Sequence, residues 1–184
     1  RRADRTDQHG DDQMILVCYD GSPDAKAATD QVAGLMGGAD ATVLTLWEPF
    51  LDVMLRSGAT SMGVGSAPYA GDEDIDAASE QAALRNAMAG VGRANAAGLL
   101  AQPRTASAHG GIADAILSVA ADVDADLVVL GTRGLGGVKS FLLGSVSHAV
   151  IQHADRAVLV VPSAGLAEQR HHWSQHTDAP AGVA

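Results

Sequence analysis

A run of glycines with a hydroxyl residue, between residues 131 and 145, has the composition of a phosphate-binding loop. The apolar stretch 127–130, which follows Asp126, ends at Gly131, as in a strand that is covered on both faces. Glycine after such a strand lets the backbone turn sharply and come close to a ligand. Apolar residues recur at helical spacing after Gly144 and Ser145. A helix that starts there would direct its unpaired N–H groups and its positive dipole end at an anion.

The hydroxyl of Ser145 has two competing uses, because it can cap the helix or bond a phosphate oxygen. Two well-known phosphate loops do not fit the stretch. Walker A requires lysine directly after its last glycine, but Val138 separates Gly137 from Lys139. The dinucleotide fingerprint fails because Lys139 stands where its third glycine belongs. On pattern alone, the stretch is either a phosphate site of another kind or a glycine-rich turn without a ligand.

The spacing that is present, Gly131-x2-Gly134-x9-Gly144-Ser145, resembles the ATP-binding motif of the universal stress protein family. The resemblance extends to MILVCYDGS at the front of the chain and to RAVLVVP near its end, so it covers roughly residues 13–163. It implies an α/β fold: a Rossmann-like, doubly wound sheet of five parallel strands in the order 3-2-1-4-5, with about four helices in a single domain.

The same resemblance assigns binding residues by their positions. Cys18 and Tyr19 would contribute backbone near the base, and Leu46 an apolar wall. Asp20 would bind ribose or adenine, or hold water around a phosphate-bound magnesium ion. The alternative is that Asp20 bonds only the backbone of its own Asp-Gly-Ser turn. Arg133 is a local cation suited to an anion. The full predicted set is Cys18, Tyr19, Asp20, Leu46, Leu130, Gly131, Arg133, Gly134, Gly144, Ser145 and Val146.

Strand and helix patterns alternate along the chain, as a doubly wound fold requires. Ser22 and Pro23 are suited to cap and open the first helix, and Gly37 with Gly38 ends it. The third strand has the weakest pattern and rests on topology. Strands are predicted at residues 14–20, 41–47, within 101–108, from 127 and at 157–161, with helices from 22, at 76–97, from 111 and from 145.

Three segments lack a clear pattern. Residues 1–12 and 164–184 are expected to be flexible polar tails that flank the domain at 13–163. Residues 49–75 contain several glycines and prolines, which predict a long loop. We expect this loop either to cover part of the nucleotide crevice or to be disordered. The histidines of the last segment are not predicted to form a metal site, because no cysteine or carboxylate cluster completes one.

Composition excludes several classes of function. The formal net charge of −10 argues against nonspecific nucleic-acid binding, which requires a basic face. No apolar run approaches the ~20 residues of a membrane span. Cys18 is the single cysteine, so no internal disulfide can form and a cytoplasmic location is expected.

The leading prediction is an ATP-binding stress-response protein that acts by nucleotide-dependent binding, with Mg²⁺ held mainly by the phosphates. No catalytic residue can be assigned, since no nucleophile and general base form a pair in the sequence. Three alternatives remain: a cyclic-AMP-binding member of the family, a slow ATPase or self-phosphorylating protein using Ser145 or Ser147, and a dimeric scaffold without nucleotide. A homodimer is expected through the apolar last strand, Ala157–Val161, which the resemblance places at the sheet edge.

Overall fold

A computed structural model of the chain describes residues 13–57, 72–134 and 143–168. Its five strands form one parallel sheet in the order β3-β2-β1-β4-β5, which confirms the predicted topology. The strand order reverses between β1 and β4, and ligands of such sheets bind at the carboxyl ends of the strands near that reversal. The strands are β1 (Met14–Cys18), β2 (Asp40–Trp47), β3 (Leu100–Ser107), β4 (Leu127–Gly131) and β5 (Ala157–Val161).

Helices cover both faces of the sheet. Helices α1 and α3 lie on one face, and α4 and α5 lie on the other. Residues 164–168 are also helical, and Leu166 is buried there, so this part of the predicted tail packs on the domain. The named helices are α1 (Pro23–Leu35), α2 (Phe50–Arg56), α3 (Asp72–Ala96), α4 (Ile112–Asp122) and α5 (Ser145–His153).

Each face of the sheet has its own hydrophobic core, and β1 contributes alternate side chains to the two. Ile15 and Val17 pack toward α1 and α3, and Leu16 packs toward α4 and α5. All three are fully buried, which explains why this strand is apolar throughout rather than alternating. The same alternation continues past the end of β1, where it sends Cys18 and Tyr19 to opposite faces.

The start of α1 forms as its sequence predicts. Ser22 is the N-cap residue, and its Oγ accepts a hydrogen bond from the backbone N–H of Ala25 at 3.1 Å. Pro23 occupies the first helical position, where its missing N–H costs nothing. A cap of this kind stabilises a helix by about 1 kcal/mol. The chain therefore enters α1 directly after the turn that carries Asp20.

The third strand spans Leu100–Ser107, close to its predicted position, although its pattern is weak. This strand lies at the edge of the sheet and pairs only with β2 among the described strands. An edge strand tolerates Pro103, because that residue's missing N–H removes a bond that a central strand would need. Half-exposed edge residues have no reason to alternate, which is why periodicity gave no signal.

The prediction of a structureless segment at 49–75 is wrong at both ends. Helix α2 occupies Phe50–Arg56, and α3 begins at Asp72 rather than at residue 76. No residue of α2 is buried, and its seven residues are too few for their apolar members to establish a helical period in the sequence. It is held instead by polar contacts: the backbone N–H of Phe50 donates to Asp76 at 2.8 Å, and Arg56 pairs with Glu48 at 2.8 Å. Residues 58–71, on which the predicted lid depends, lie outside the described residues.

Candidate functional site

The carboxyl ends of β1 and β4 lie side by side, since Ile15, Leu16 and Val17 pair in register with 127–129. The turns that follow these two strands therefore meet at one edge of the sheet. Asp20 follows β1, and Gly134 follows β4. If Gly134 carried a Cβ, that atom would lie 2.7 Å from Oδ2 of Asp20, so the absence of a side chain is what allows this approach.

Asp20 makes one of the two contacts considered for it, the bond to its own turn, and its contact with a ligand stays a prediction. Its Oδ1 accepts a hydrogen bond from the backbone N–H of Ser22 at 2.9 Å, which closes an Asx-turn over Gly21. Gly21 has a φ of +80°, a conformation that favours glycine. The other carboxylate oxygen faces the turn at Gly134. The Asx-turn thus fixes the direction of the carboxylate, with Oδ2 on the side of Gly134.

The first turn of α1 is tied to the glycine loop by Asp24, a residue that sequence reasoning missed. Its carboxylate is 6% exposed, and its Oδ2 accepts the backbone N–H of Arg133 at 3.1 Å. A Cβ on Gly131 would lie 2.8 Å from atoms of Asp24 and from the backbone N of Ala25. Gly131 is therefore required for close packing of β4 on α1. The signal for Asp24 was its place in the first turn after a Ser-Pro cap, where an acidic side chain is favoured.

Helix α5 opens at the same edge. Gly144 is its N-cap residue and has no side chain with which to cap the helix. The Gly144 N–H donates to the Thr132 carbonyl at 3.0 Å, and a Cβ on Gly144 would lie 2.9 Å from that oxygen. Ser145 is the first helical residue and is exposed, so it does not hold the N-cap position. Its hydroxyl remains available to a ligand.

Ser147, by contrast, is buried and stabilises the turn after β4 by a hydrogen bond. Its side chain is 4% exposed, and its Oγ donates to the Gly131 carbonyl at 2.8 Å. The Thr132 carbonyl lies 3.4 Å from the same oxygen. A buried hydroxyl with this bond has no access to a nucleotide phosphate. Ser147 is thereby removed as a self-phosphorylation site, and the hypothesis reduces to Ser145.

An apolar wall lies beside these polar groups on the α4–α5 face of the sheet. Cys18, Leu46 and Val146 are partly buried there against a core that includes the buried Leu130. Ala106 and Ile112 belong to the same face, and neither was predicted from the sequence. Burial raises the pKa of the Cys18 thiol to about 12, with a smaller contribution from the Asp20 carboxylate. Cys18 is therefore neutral and suited to apolar contact.

Tyr19 does not join this wall. Its ring is 5% exposed and packs on the other face of the sheet, against Gly90 of α3 and Val43. Its backbone N–H donates to the Leu44 carbonyl, and its carbonyl accepts from Thr45 Oγ1 at 2.6 Å. Tyr19 can thus contribute only its backbone position to the edge, as the resemblance implied.

Residues 135–142, which include Lys139, lie outside the described residues, as do residues 1–12 and the histidines after residue 168. Within the described residues, no group of three or more His, Cys, Asp or Glu side chains could hold a metal ion. None of the described helices is long and apolar enough to cross a membrane.

Comparison with known proteins gives one consistent result. The sequence model of the universal stress protein family matches residues 13–162. A Thermus aquaticus relative, described as a universal stress protein in the QAH/OAS sulfhydrylase 3′ region, is 36% identical over 151 residues, which are 81% of this chain and 98% of the relative.

Solved structures share the fold. The hypothetical protein MJ0577 superposes with a TM-score of 0.63 at 20% identity, over 82% of this chain and 95% of that one. A universal stress protein solved in complex with cAMP superposes with a TM-score of 0.54 at 25% identity, over 84% of this chain and all of that one. With the family match spanning most of the sequence, the chain belongs to the universal stress protein family.

Proposed function

We propose that this protein binds an adenine nucleotide, ATP in the first place, at the carboxyl edge of β1 and β4, and that it acts in a stress response through nucleotide-dependent binding. The residues proposed to contact the nucleotide are those of the predicted set. Cys18, Leu46 and Val146 would face the base, and Tyr19 would contribute backbone. Gly134, Gly144, Ser145 and Arg133 would surround the phosphates.

The observation that carries the proposal is the open amino end of α5. The helix has no side-chain cap and no acidic residue in its first turn, and Ser145 is exposed at its first position. The first N–H groups of a helix have no partner within the helix, and they attract an anion together with the helix dipole. The dipole contributes typically 0.3–1 kcal/mol at an exposed end. Micromolar affinity corresponds to ~8 kcal/mol, so the base and the ribose must supply most of the binding free energy.

The apolar wall supports an adenine ring as the other half of the ligand. Ligand sites combine apolar surface with a few directed polar groups, and Cys18, Leu46 and Val146 lie next to the polar turn of Asp20. Asp20 has one oxygen directed at the glycine loop, where it would meet ribose or water on a phosphate-bound Mg²⁺. The Mg²⁺ ion would take most of its oxygen ligands from the phosphates.

Cyclic AMP is the second candidate, because the universal stress protein at 25% identity was solved in complex with it. A single phosphate could bind at the start of α5 without Mg²⁺. ATP and cyclic AMP would share the apolar wall and compete for it. Competition calorimetry with Mg-ATP and cyclic AMP ranks the two ligands directly.

The test of the nucleotide site is isothermal titration calorimetry on Ser145→Ala, with Ser118→Ala as control. Ser118 is an exposed serine in the middle of α4, so both variants remove one exposed helical hydroxyl. Loss of a hydrogen bond to a charged phosphate costs about 1.5–3 kcal/mol, so Ser145→Ala should weaken Mg-ATP binding about tenfold or more. Ser118→Ala should bind like the wild type. Equal affinity in all three proteins would contradict the proposed role of Ser145.

We also propose that the protein is a cytoplasmic homodimer formed through β5. The strand lies at the edge of the sheet, and Val158, Leu159 and Val160 are only partly buried. Exposed backbone groups on such an edge invite pairing with a second copy. Analytical ultracentrifugation should show a dimer, and Val160→Pro should shift it to monomer, because the Val160 N–H points away from β4 and would be the donor lost to the second copy. A monomeric wild type would refute the pairing.

A further inference from the structure

A second cleft, of about 620 Å³, lies at the carboxyl end of β2 between that strand and α3. Its volume is in the range of small-molecule sites. The cleft lies on the α3 side of the sheet, whereas the apolar wall of the proposed nucleotide site lies on the α4–α5 side. Leu46 lines the cleft from its base and packs its side chain toward the other face. The two sites are therefore neighbours on opposite sides of β2.

The lining of the cleft has an unpaired positive charge. In the described parts of the chain, the side chains of Arg85 and Asn86 make no hydrogen bond or ion pair. The other charge in the lining is Glu48, which is already paired with Arg56 at 2.8 Å. Ser79 adds a hydroxyl from nearly two turns earlier in α3. All three residues line the cleft, and a guanidinium, an amide and a hydroxyl together form a donor set suited to a carboxylate.

The rest of the lining is apolar apart from Thr45, whose hydroxyl already donates to the Tyr19 carbonyl. Trp47, partly buried at the end of β2, lines the cleft, and strand alternation directs its indole to the α3 side because Leu46 packs on the other face. Three alanines of α3 contribute small side chains that leave room for a ring. Aromatic rings stack favourably on indole, and the alanines add apolar contact. One unpaired guanidinium matches one negative charge better than two, and Glu48 at the rim disfavours a dianion.

We propose that this cleft binds a small organic carboxylate, with its carboxylate on Arg85 and its planar apolar part on Trp47. The ligand class follows from the polar donors of α3 and the indole of Trp47 together. The site does not depend on nucleotide, because none of its polar groups belongs to the glycine loop or to the turn of Asp20. Asn86 is the point of contact between the two sites, since its Oδ1 lies 3.0 Å from where a Cβ of Gly21 would be.

The experiment uses benzoate as the probe and Trp47 fluorescence as the readout. The chain has two tryptophans, so Trp173→Phe is introduced to make Trp47 the only reporter. Benzoate added to nucleotide-free protein should change the fluorescence saturably, with a Kd of about 1 mM, as expected for a ligand of so few atoms. Benzamide has the same shape without the charge and should bind about tenfold more weakly.

Two arginine variants on the same helix separate the charge of the cleft from the charge of α3. Arg85→Gln should raise the Kd for benzoate about tenfold. Arg93→Gln is the control, because Arg93 is paired with Asp30 away from the cleft and should leave the Kd unchanged. Both side chains are at least partly exposed, so neither change threatens the fold.

Saturating Mg-ATP should leave benzoate bound, since the sites lie on opposite sides of β2. Three results would overturn the proposal: no saturable change of fluorescence, equal affinity in Arg85→Gln, or displacement of benzoate by ATP. Because the titration is done without nucleotide, it remains informative if the chain binds no ATP. A failure of ATP binding would count against the proposed function alone.

Discussion

Two glycines of α3 should respond in opposite directions to the same substitution. A Cβ on Gly90 would lie 2.8 Å from Cγ of Tyr19 and 2.8 Å from Cγ1 of Val43, both of which are buried. A Cβ on Gly92 would meet nothing within 4 Å. Gly90 therefore allows α3 to lie directly on the ring of Tyr19, and Gly92 serves no such purpose.

The expected magnitudes come from two terms. Alanine gains about 1 kcal/mol over glycine at an interior helix position, and this gain applies to both variants. Overpacking a filled core costs about 1–3 kcal/mol, and this cost applies only to Gly90→Ala. Gly92→Ala should therefore raise the free energy of unfolding by about 1 kcal/mol. The free energy of unfolding of Gly90→Ala should be about 1–3 kcal/mol lower than that of Gly92→Ala.

Urea denaturation followed by circular dichroism measures both free energies, and unchanged m-values would show that the native states remain comparable. Tyr19 immediately precedes Asp20, so calorimetry with Mg-ATP provides a second readout. Gly90→Ala should weaken ATP binding, and Gly92→Ala should leave it unchanged. If both variants were stabilised equally, α3 would not press on Tyr19 and the packing described for that ring would be refuted.

Three further predictions concern single side chains. The Cys18 thiol keeps its proton in the native state because its pKa is raised from 9.0 to about 12. In the unfolded chain the thiol ionises between pH 8 and pH 10, so the free energy of unfolding should fall by about 1 kcal/mol over that range. Cys18→Ala should remove that loss. Arg156 donates to two backbone carbonyls, at 2.7 and 2.9 Å, so Arg156→Met should lower the free energy of unfolding, measured by urea denaturation, by about 2 kcal/mol. Arg104→Met breaks only an exposed ion pair and should lower it by less than ~1 kcal/mol. Ser147→Ala should cost about 1 kcal/mol in the same assay and weaken ATP binding, and an unchanged stability would show that its hydroxyl does not fasten the loop.

The order of the sheet could be predicted because its central strands are buried on both faces. Residues 15–17 and 128–130 must then be apolar without interruption, and glycine must follow where the chain turns. The cap of α1 could also be predicted from the sequence, since Ser22 and Pro23 have local roles that do not depend on the rest of the fold. Local chemistry and continuous burial are the two features that a single sequence displays.

Contacts between distant segments could not be predicted in this way. The bond from the Arg133 N–H to Asp24 joins residues 109 positions apart, and no periodicity records it. Helix α2 was missed because it is only seven residues long, too short for a helical period, and because its contacts through Glu48 and Asp76 leave no mark on the sequence. The side-chain direction of Tyr19 depends on Gly90, which weakens the helical pattern of α3 while enabling its packing.

The glycines of the motif also have a packing role in the structure. Gly131 and Gly144 are closely approached by protein backbone, at 2.8 and 2.9 Å from the position of a Cβ, so they join β4 to α1 and to α5 whether or not a ligand is bound. Alanine at either position would disturb the fold of the site and would lower ATP affinity even if neither glycine touched a phosphate. Gly134 differs, since its near neighbour is the Asp20 carboxylate. The case for nucleotide binding therefore depends on groups that the fold leaves exposed, of which Ser145 is the clearest, rather than on the glycines by which the motif is recognised.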